Sequence, residues 1–129
     1  MQITKIITSV NDNPTYRDFL PLVSLAWEKL FNLRLTVGYI TTKNPSDPDV
    51  LNLSNHADIK VFPPISGVDA GVQAKVTRMY LASSRELANE NCMIVDVDMI
   101  PLSAEVLEVF KDCPEDHLAK WGHDHPSFL

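Results

Sequence analysis

The chain predicts an α/β fold with a mostly parallel sheet flanked by helices. Three observations carry that expectation. Segments rich in β-branched residues alternate with segments of helical periodicity, which calls for parallel pairing through right-handed crossovers. The order runs strand, helix, strand, loop, strand, helix, strand, helix. The apolar run Cys92-Met93-Ile94-Val95 then ends in Asp96-Val97-Asp98, with Pro101 close behind. Such a run reads as a strand buried on both faces, of the type at the centre of a parallel sheet. Unpaired carboxylates are costly to bury, so Asp96 and Asp98 should mark where the strand emerges at the carboxyl edge of the sheet.

The elements follow in order. Ile3 to Val10 is β-branched and reads as the first strand, stopped by Asn11-Asp12-Asn13-Pro14. Thr15 is a candidate N-cap for a helix running to about Phe31, with an apolar stripe of Phe19, Val23, Trp27 and Leu30 widened by Leu20, Ala26 and Phe31. Pro21 implies a later start or a kink. Arg34 to Thr41 is the second strand. Thr42 to Asn55 reads as a loop with a helical turn around Val50 to Leu53. Ile59 to Phe62 is a short third strand closed by Pro63-Pro64. Asp69 is a candidate N-cap for a helix lasting to about Ala88, with Val72, Val76, Met79 and Tyr80 as its core stripe. After the aspartate strand, Ser103 should cap a helix over Ala104 to Lys111, with Val106, Val109 and Phe110 inward. Residues 113–129 show no clear period and remain unassigned.

With 129 residues the chain fits a single domain, 1–129, able to bury a core without staples. Its 45% hydrophobic and 22% charged content is that of an ordinary globular protein. A net charge of −6 argues against sequence-independent binding to nucleic acid, although it leaves room for a small phosphorylated ligand. Cys92 and Cys113 are the only cysteines and have no framework spacing, which fits a reducing, cytoplasmic location. The N-terminus lacks the pattern of a signal peptide, and no run approaches the roughly 18 apolar residues of a membrane span.

Asp96 and Asp98 are the leading candidates for chemistry. Two carboxylates side by side repel unless a cation lies between them, and magnesium or manganese takes hard oxygen ligands that it often shares with phosphates. The bland alternative is one capping aspartate and one solvated one; the position at a strand's end favours the cation. Lys75 and Arg78, three apart on one helical face, could pair with phosphate oxygens, with the aspartates, or with Glu86 or Glu90. Val10, Asn11, Asp12 and Asn13 sit where an α/β sheet binds nucleotides, yet they could equally just end a strand and start a helix. Only four glycines are present and none forms a phosphate cradle, so a P-loop or dinucleotide fingerprint is not expected. His117, His123 and His125, with Asp116 and Asp124, could ligate a metal or form a polar tail. No Ser-His-Asp or Cys-His arrangement stands out, and the catalytic residues remain unknown.

These residues resemble the nucleotide-sugar-binding half of a GT-A-type glycosyltransferase. The likeness rests on Ile6 to Asn13 as first strand and donor loop, Ala70 to Tyr80 as the basic helix, and Met93 to Leu102 as the strand ending in Asp-x-Asp. It covers residues 1–112. It implies a Rossmann-like sheet and a nucleoside-diphosphate sugar, usually a UDP-sugar, held through Mn2+ or Mg2+. Asp98 would be the principal metal ligand, and Asp96 would bind the ribose or reach the metal through water. Val10 to Asn13 would contact the base, and Lys75 or Arg78 the donor. Members of that family continue well past the motif into acceptor-binding segments, so the resemblance implies either a piece of a longer enzyme or a shortened relative whose acceptor side comes from elsewhere; the acceptor is unknown. Two other readings stand beside transfer: a non-catalytic nucleotide-sugar-binding module, and a phosphatase of the haloacid-dehalogenase type, whose nucleophilic aspartate normally opens the domain rather than lying late in it.

Overall fold

The computed structural model describes residues 1–114 and the backbone of 119–120 and 127–128. Its centre is a four-stranded, all-parallel sheet. Strands β1 (Lys5–Asn11), β2 (Leu35–Ile40) and β3 (Asp58–Phe62) follow one another outward, and β4 (Cys92–Ile94) returns to the far side of β1. The spatial order is therefore β3-β2-β1-β4. Thr8 lies opposite Val37, Val37 opposite Ile59, and Ile6 opposite Met93. Helices α1 (Pro14–Arg17), α2 (Leu20–Phe31), α3 (Pro48–Ser54) and α4 (Ala70–Ala82) flank the sheet. The two-residue strands β5 (Ala119–Lys120) and β6 (Ser127–Phe128) pair antiparallel with each other. An α/β fold with a parallel sheet is what the alternation of periods predicts.

Successive strand residues face opposite sides, and the two sides of this sheet differ in character. Ile6, Val10, Leu35, Val37 and Tyr39 share one core cluster with Leu20, Val23 and Trp27 of α2 and Val50 and Leu53 of α3. The residues between them, Ser9, Thr36 and Gly38 among others, face α4. That face sets small and polar residues beside the buried Ile7 and Ile40. Gly38 lets α4 come close, since a Cβ there would lie 2.6 Å from Thr77 Cγ2 and 3.1 Å from Leu81 Cδ1. The Ser9 hydroxyl also donates to the carbonyl of Ala74, at 2.6 Å.

That packing overturns the expected core stripe of α4. Val72, Val76, Met79 and Tyr80 are 53, 60, 63 and 64% exposed, and the buried side chains are Gln73, Ala74, Thr77 and Leu81. Where the helix sits on Ser9, Thr36 and Gly38 it needs small or hydrogen-bonding residues beneath it, and Leu81 is the one large apolar side chain that α4 buries on this face. The aspartate strand is also corrected: β4 lies at the sheet edge with Cys92 and Met93 half-buried and Ile94 exposed. An apolar run reports side-chain character and not the number of neighbouring strands.

Smaller differences concern helix ends. Residues 14–31 form two helices. Asn13, not Thr15, caps α1 by accepting from the Thr15 amide, and Pro21 falls in the first turn of α2, where its missing N–H costs nothing. Asn32, at φ 55°, closes α2 in the left-handed conformation. The helix after β3 ends at Ala82 and is followed by a separate 3-10 turn over Arg85–Leu87. Ala104–Phe110 is 3-10 rather than α, capped by Ser103 as expected, with Phe110 buried. Among the described residues, no helix is long and apolar enough to cross a membrane.

Candidate functional site

The strand order creates a crevice. The chain leaves β1 toward β2 and β3, then crosses to β4 on the other side, so the segments that follow β1 and β4 diverge. Ligands of open α/β sheets bind at such a switch point, outside the carboxyl ends of the strands. A cleft of about 410 Å3 lies there, walled by Val10 and Asn11 at the end of β1 and Tyr16 beyond it, by Asp69, Val72, Lys75 and Arg78 of α4 and its cap, and by Asp96 and Asp98 after β4. A larger hollow of about 590 Å3 opens beside Lys5, Asp58 and Lys60. It lies toward the amino ends of the strands, and its Lys60 is already paired with Glu86 at 3.0 Å, so the switch-point cleft is the better candidate.

The turn after β4 shows why the two aspartates emerge together. The Val95 amide donates to the Ile7 carbonyl at 2.9 Å, one step beyond the regular ladder. Val95 and Val97 are buried in the core while Asp96 and Asp98 are exposed. The Met99 amide then closes a turn on the Asp96 carbonyl at 3.0 Å. Buried valines thus alternate with outward carboxylates at the carboxyl edge of the sheet.

The α4 helix supplies the positive charge. Its start is fixed by Asp69, whose carboxylate accepts from the amides of Gly71 and Val72 at 2.9 and 3.0 Å. The amides at this helix end are therefore already occupied by a carboxylate. Gln73 braces the preceding loop, donating to the Pro63 carbonyl at 2.8 Å and accepting from the Ile65 amide at 2.9 Å. One turn on, the largely buried Arg78 donates to the Val95 carbonyl at 3.1 Å and pairs with the Asp96 carboxylate. It joins the helix to the aspartate turn, the second of the three pairings open to it from sequence. Lys75 and Asp98 have no hydrogen-bond or ion-pair partner among the described residues, so both are available to a ligand.

The segment after β1 divides its polar residues between roles. The side-chain Oδ1 of Asn11 accepts from the Asn13 amide at 3.0 Å, and Asn13 Oδ1 accepts from the Thr15 amide, which leaves the Asn11 NH2 group without a partner among the described residues. Val10 and Asn11 line the cleft; Asp12 and Asn13 do not. The Asp12 carboxylate instead accepts from the Tyr39 hydroxyl at 2.5 Å and from Thr41 at 2.8 Å. Burial, and then the hydrogen bond to Asp12, push the Tyr39 phenol above its ordinary pKa. The Tyr39 hydroxyl in turn raises the Arg17 guanidinium. Tyr16, half-exposed at the cleft wall, is absent from the sequence-derived candidates. Its one sign is an aromatic residue three places after the capping Asn13, on a helix too short to bury it.

The donor set at the cleft fits a magnesium or manganese ion only in part by protein alone. Among the described residues Asp98 is unengaged, and Asp96 meets Arg78 through one of its two oxygens. Among the described residues no group of three or more His, Cys, Asp or Glu side chains is assembled to hold a metal. A hard cation that takes one or two carboxylates and completes its shell with phosphate and water is consistent with that set. The histidine cluster at 117, 123 and 125, with Asp116 and Asp124, lies outside the described residues. Both described cysteines are free thiols; burial raises the Cys92 thiol further from reactivity. No protein-family model, no curated protein and no solved structure matches the chain.

Proposed function

We propose that the switch-point cleft is the donor site of a metal-dependent glycosyltransferase of GT-A type, binding a nucleoside-diphosphate sugar. The observation that carries this reading is the convergence of three separate segments on one cleft: Asn11 and Tyr16 from the first, Lys75 and Arg78 from the second, Asp96 and Asp98 from the third. In this reading Tyr16 offers an aromatic face to the base, and the Asn11 NH2 group donates to it. Asp98 and the free oxygen of Asp96 hold Mn2+ or Mg2+ against the diphosphate, and Lys75 pairs with a phosphate oxygen. When bound, the cation supplies charge neutralisation on the leaving diphosphate. Lys75 and Arg78 add fixed positive potential in the same place.

Calorimetry with nucleoside diphosphates and their sugars, with and without manganese, tests the reading. The expected result is metal-dependent binding of UDP or GDP that Asp98→Ala abolishes. No nucleotide binding at all would overturn it.

A binding module without transfer activity is the second reading, and one observation favours it. Of the described carboxylates at the cleft, Asp69 caps α4 and Asp96 is paired with Arg78, so none beyond the metal-ligating Asp98 is free to deprotonate an acceptor. Hydrolysis or transfer of the bound sugar would separate the two.

A further inference from the structure

The segment that joins β1 to α2 carries one wall of the cleft, Asn11 and Tyr16, yet little of it is packed. No side chain from Asp12 to Phe19 is buried, and α1 is a single turn. Its local hydrogen bonds, Asn11 with Asn13, Asn13 with Thr15 and Arg17 with Asp18, stay inside the segment. A loop of this kind presents a ligand-facing residue only as well as the scaffold holds the loop. Its ties to the sheet converge on Tyr39. The Asp12 carboxylate accepts from the Tyr39 hydroxyl at 2.5 Å and from the nearby Thr41 hydroxyl at 2.8 Å. At the far end of the segment, a hydrogen bond with the same Tyr39 oxygen holds the Arg17 guanidinium above its ordinary pKa. Tyr39 is itself fully buried, opposite Val10 in the sheet, with its ring in the core beneath α2 and α3. Core packing fixes the hydroxyl, and the hydroxyl reaches the immediate neighbours of both Asn11 and Tyr16.

We propose that Tyr39 is a positioning residue for the nucleoside end of the cleft, its hydroxyl holding the 11–17 segment so that Asn11 and Tyr16 meet a base together. This role rests on the donor-site reading and divides the cleft in two. The phosphate end, Lys75, Asp96 and Asp98, is built on α4 and the turn after β4. Among the described residues no hydrogen bond joins those three side chains to Tyr39 or Asp12. Releasing the Tyr39 hydroxyl therefore harms recognition of the nucleoside and spares that of the diphosphate, because only the first depends on the segment it holds.

Calorimetry of the full 129-residue chain with Mn2+ and two probes, UDP and inorganic pyrophosphate, tests this role. Tyr39→Phe is expected to weaken UDP about tenfold or more and to change pyrophosphate by less than about twofold. Asp12→Ala should show the same split. Asp12→Asn keeps an oxygen that accepts from the Tyr39 hydroxyl, and should bind UDP within about threefold of the wild type. In the ligand-free protein, Tyr39→Phe should speed hydrogen exchange at the Tyr16, Arg17 and Asp18 amides more than at Ile6 to Val10. Equal weakening of both probes is what a general loss of folding produces, and it overturns the proposal. UDP affinity unchanged in Tyr39→Phe, or exchange unchanged at residues 16–18, overturns it too while leaving the donor site in place. A wild-type chain that binds no UDP removes the donor site itself, and this role with it.

Discussion

At the carboxyl end of β1, three consecutive polar residues have three different fates. Asn11 faces the cleft, Asp12 turns to Tyr39 and Thr41, and Asn13 caps α1. From sequence the three are equivalent, because each is a turn former at a strand end. What separates them is a set of partners 27 and 29 residues away, on β2 and the residue after it. Such partners leave no local trace. Asp96 and Asp98 were legible for the opposite reason: the change from buried valine to outward carboxylate is written in adjacent residues. The Asp12–Tyr39 bond yields a test of its own. Tyr39→Phe leaves the ring in place but removes a donor to a part-buried carboxylate, and is expected to cost about 1.5–3 kcal/mol in urea unfolding. The phenol also couples stability to alkaline pH. Its folded pKa is raised, so its contribution is complete below the ordinary tyrosine range and is lost as pH rises through the folded value. Tyr39→Phe should remove that alkaline loss, and an unchanged pH profile would contradict the assignment.

Among the elements, α4 does the most to shape the site and departs furthest from its sequence pattern. Its position in the chain, its Asp69 cap and the placement of Lys75 and Arg78 on one flank all follow from sequence. Its buried face does not, because that face is dictated by Ser9, Thr36 and Gly38 across the interface rather than by the helix's own pattern. The apolar stripe of Val72, Val76, Met79 and Tyr80 therefore faces away from the sheet that its pattern predicts it to cover. The parallel order of the strands was legible from the alternation of periods. The edge position of β4 was not, since its neighbours are decided by the crossover. Gly38 is the point where sheet and helix are closest, so Gly38→Ala probes the whole element. The added methyl would meet Thr77 at 2.6 Å and Leu81 at 3.1 Å, in a layer without slack. We expect a loss of about 1–3 kcal/mol on overpacking. Because the same helix carries Lys75 and Arg78, the nucleotide affinity proposed for the cleft should fall with it. A variant of wild-type stability and affinity would show that α4 can shift without disturbing the cleft.

On the scale of the molecule, the two faces of the sheet give the protein a strong layer and a weak one. The α2 and α3 side buries Trp27, Tyr39, Leu20, Leu35 and several valines and isoleucines in one cluster. The α4 side buries fewer large apolar residues, Ile7, Ile40 and Leu81, and adds the Ser9–Ala74 hydrogen bond, the Gln73 bonds to the 63–65 loop and the Arg78 link to the aspartate turn. Apolar burial contributes roughly 25 cal/mol per Å2, so a layer in which Ile7, Ile40 and Leu81 are joined by serine, threonine, glycine and alanine is anchored less firmly than one built around leucine, valine and tryptophan. Local opening should therefore begin at α4. Native-state hydrogen exchange reads this directly. The amides of Gln73 to Leu81 are expected to exchange by a low-energy opening, while those of Ile6 to Val10 and Leu35 to Tyr39 exchange only on global unfolding. A ligand bridging Lys75 and the two aspartates would tie the weak layer to the strong one, and should slow exchange in α4 more than in β1 or β2. Uniform protection across both layers would mean that the polar contacts of α4 match the apolar core in strength, and the proposed division would fail.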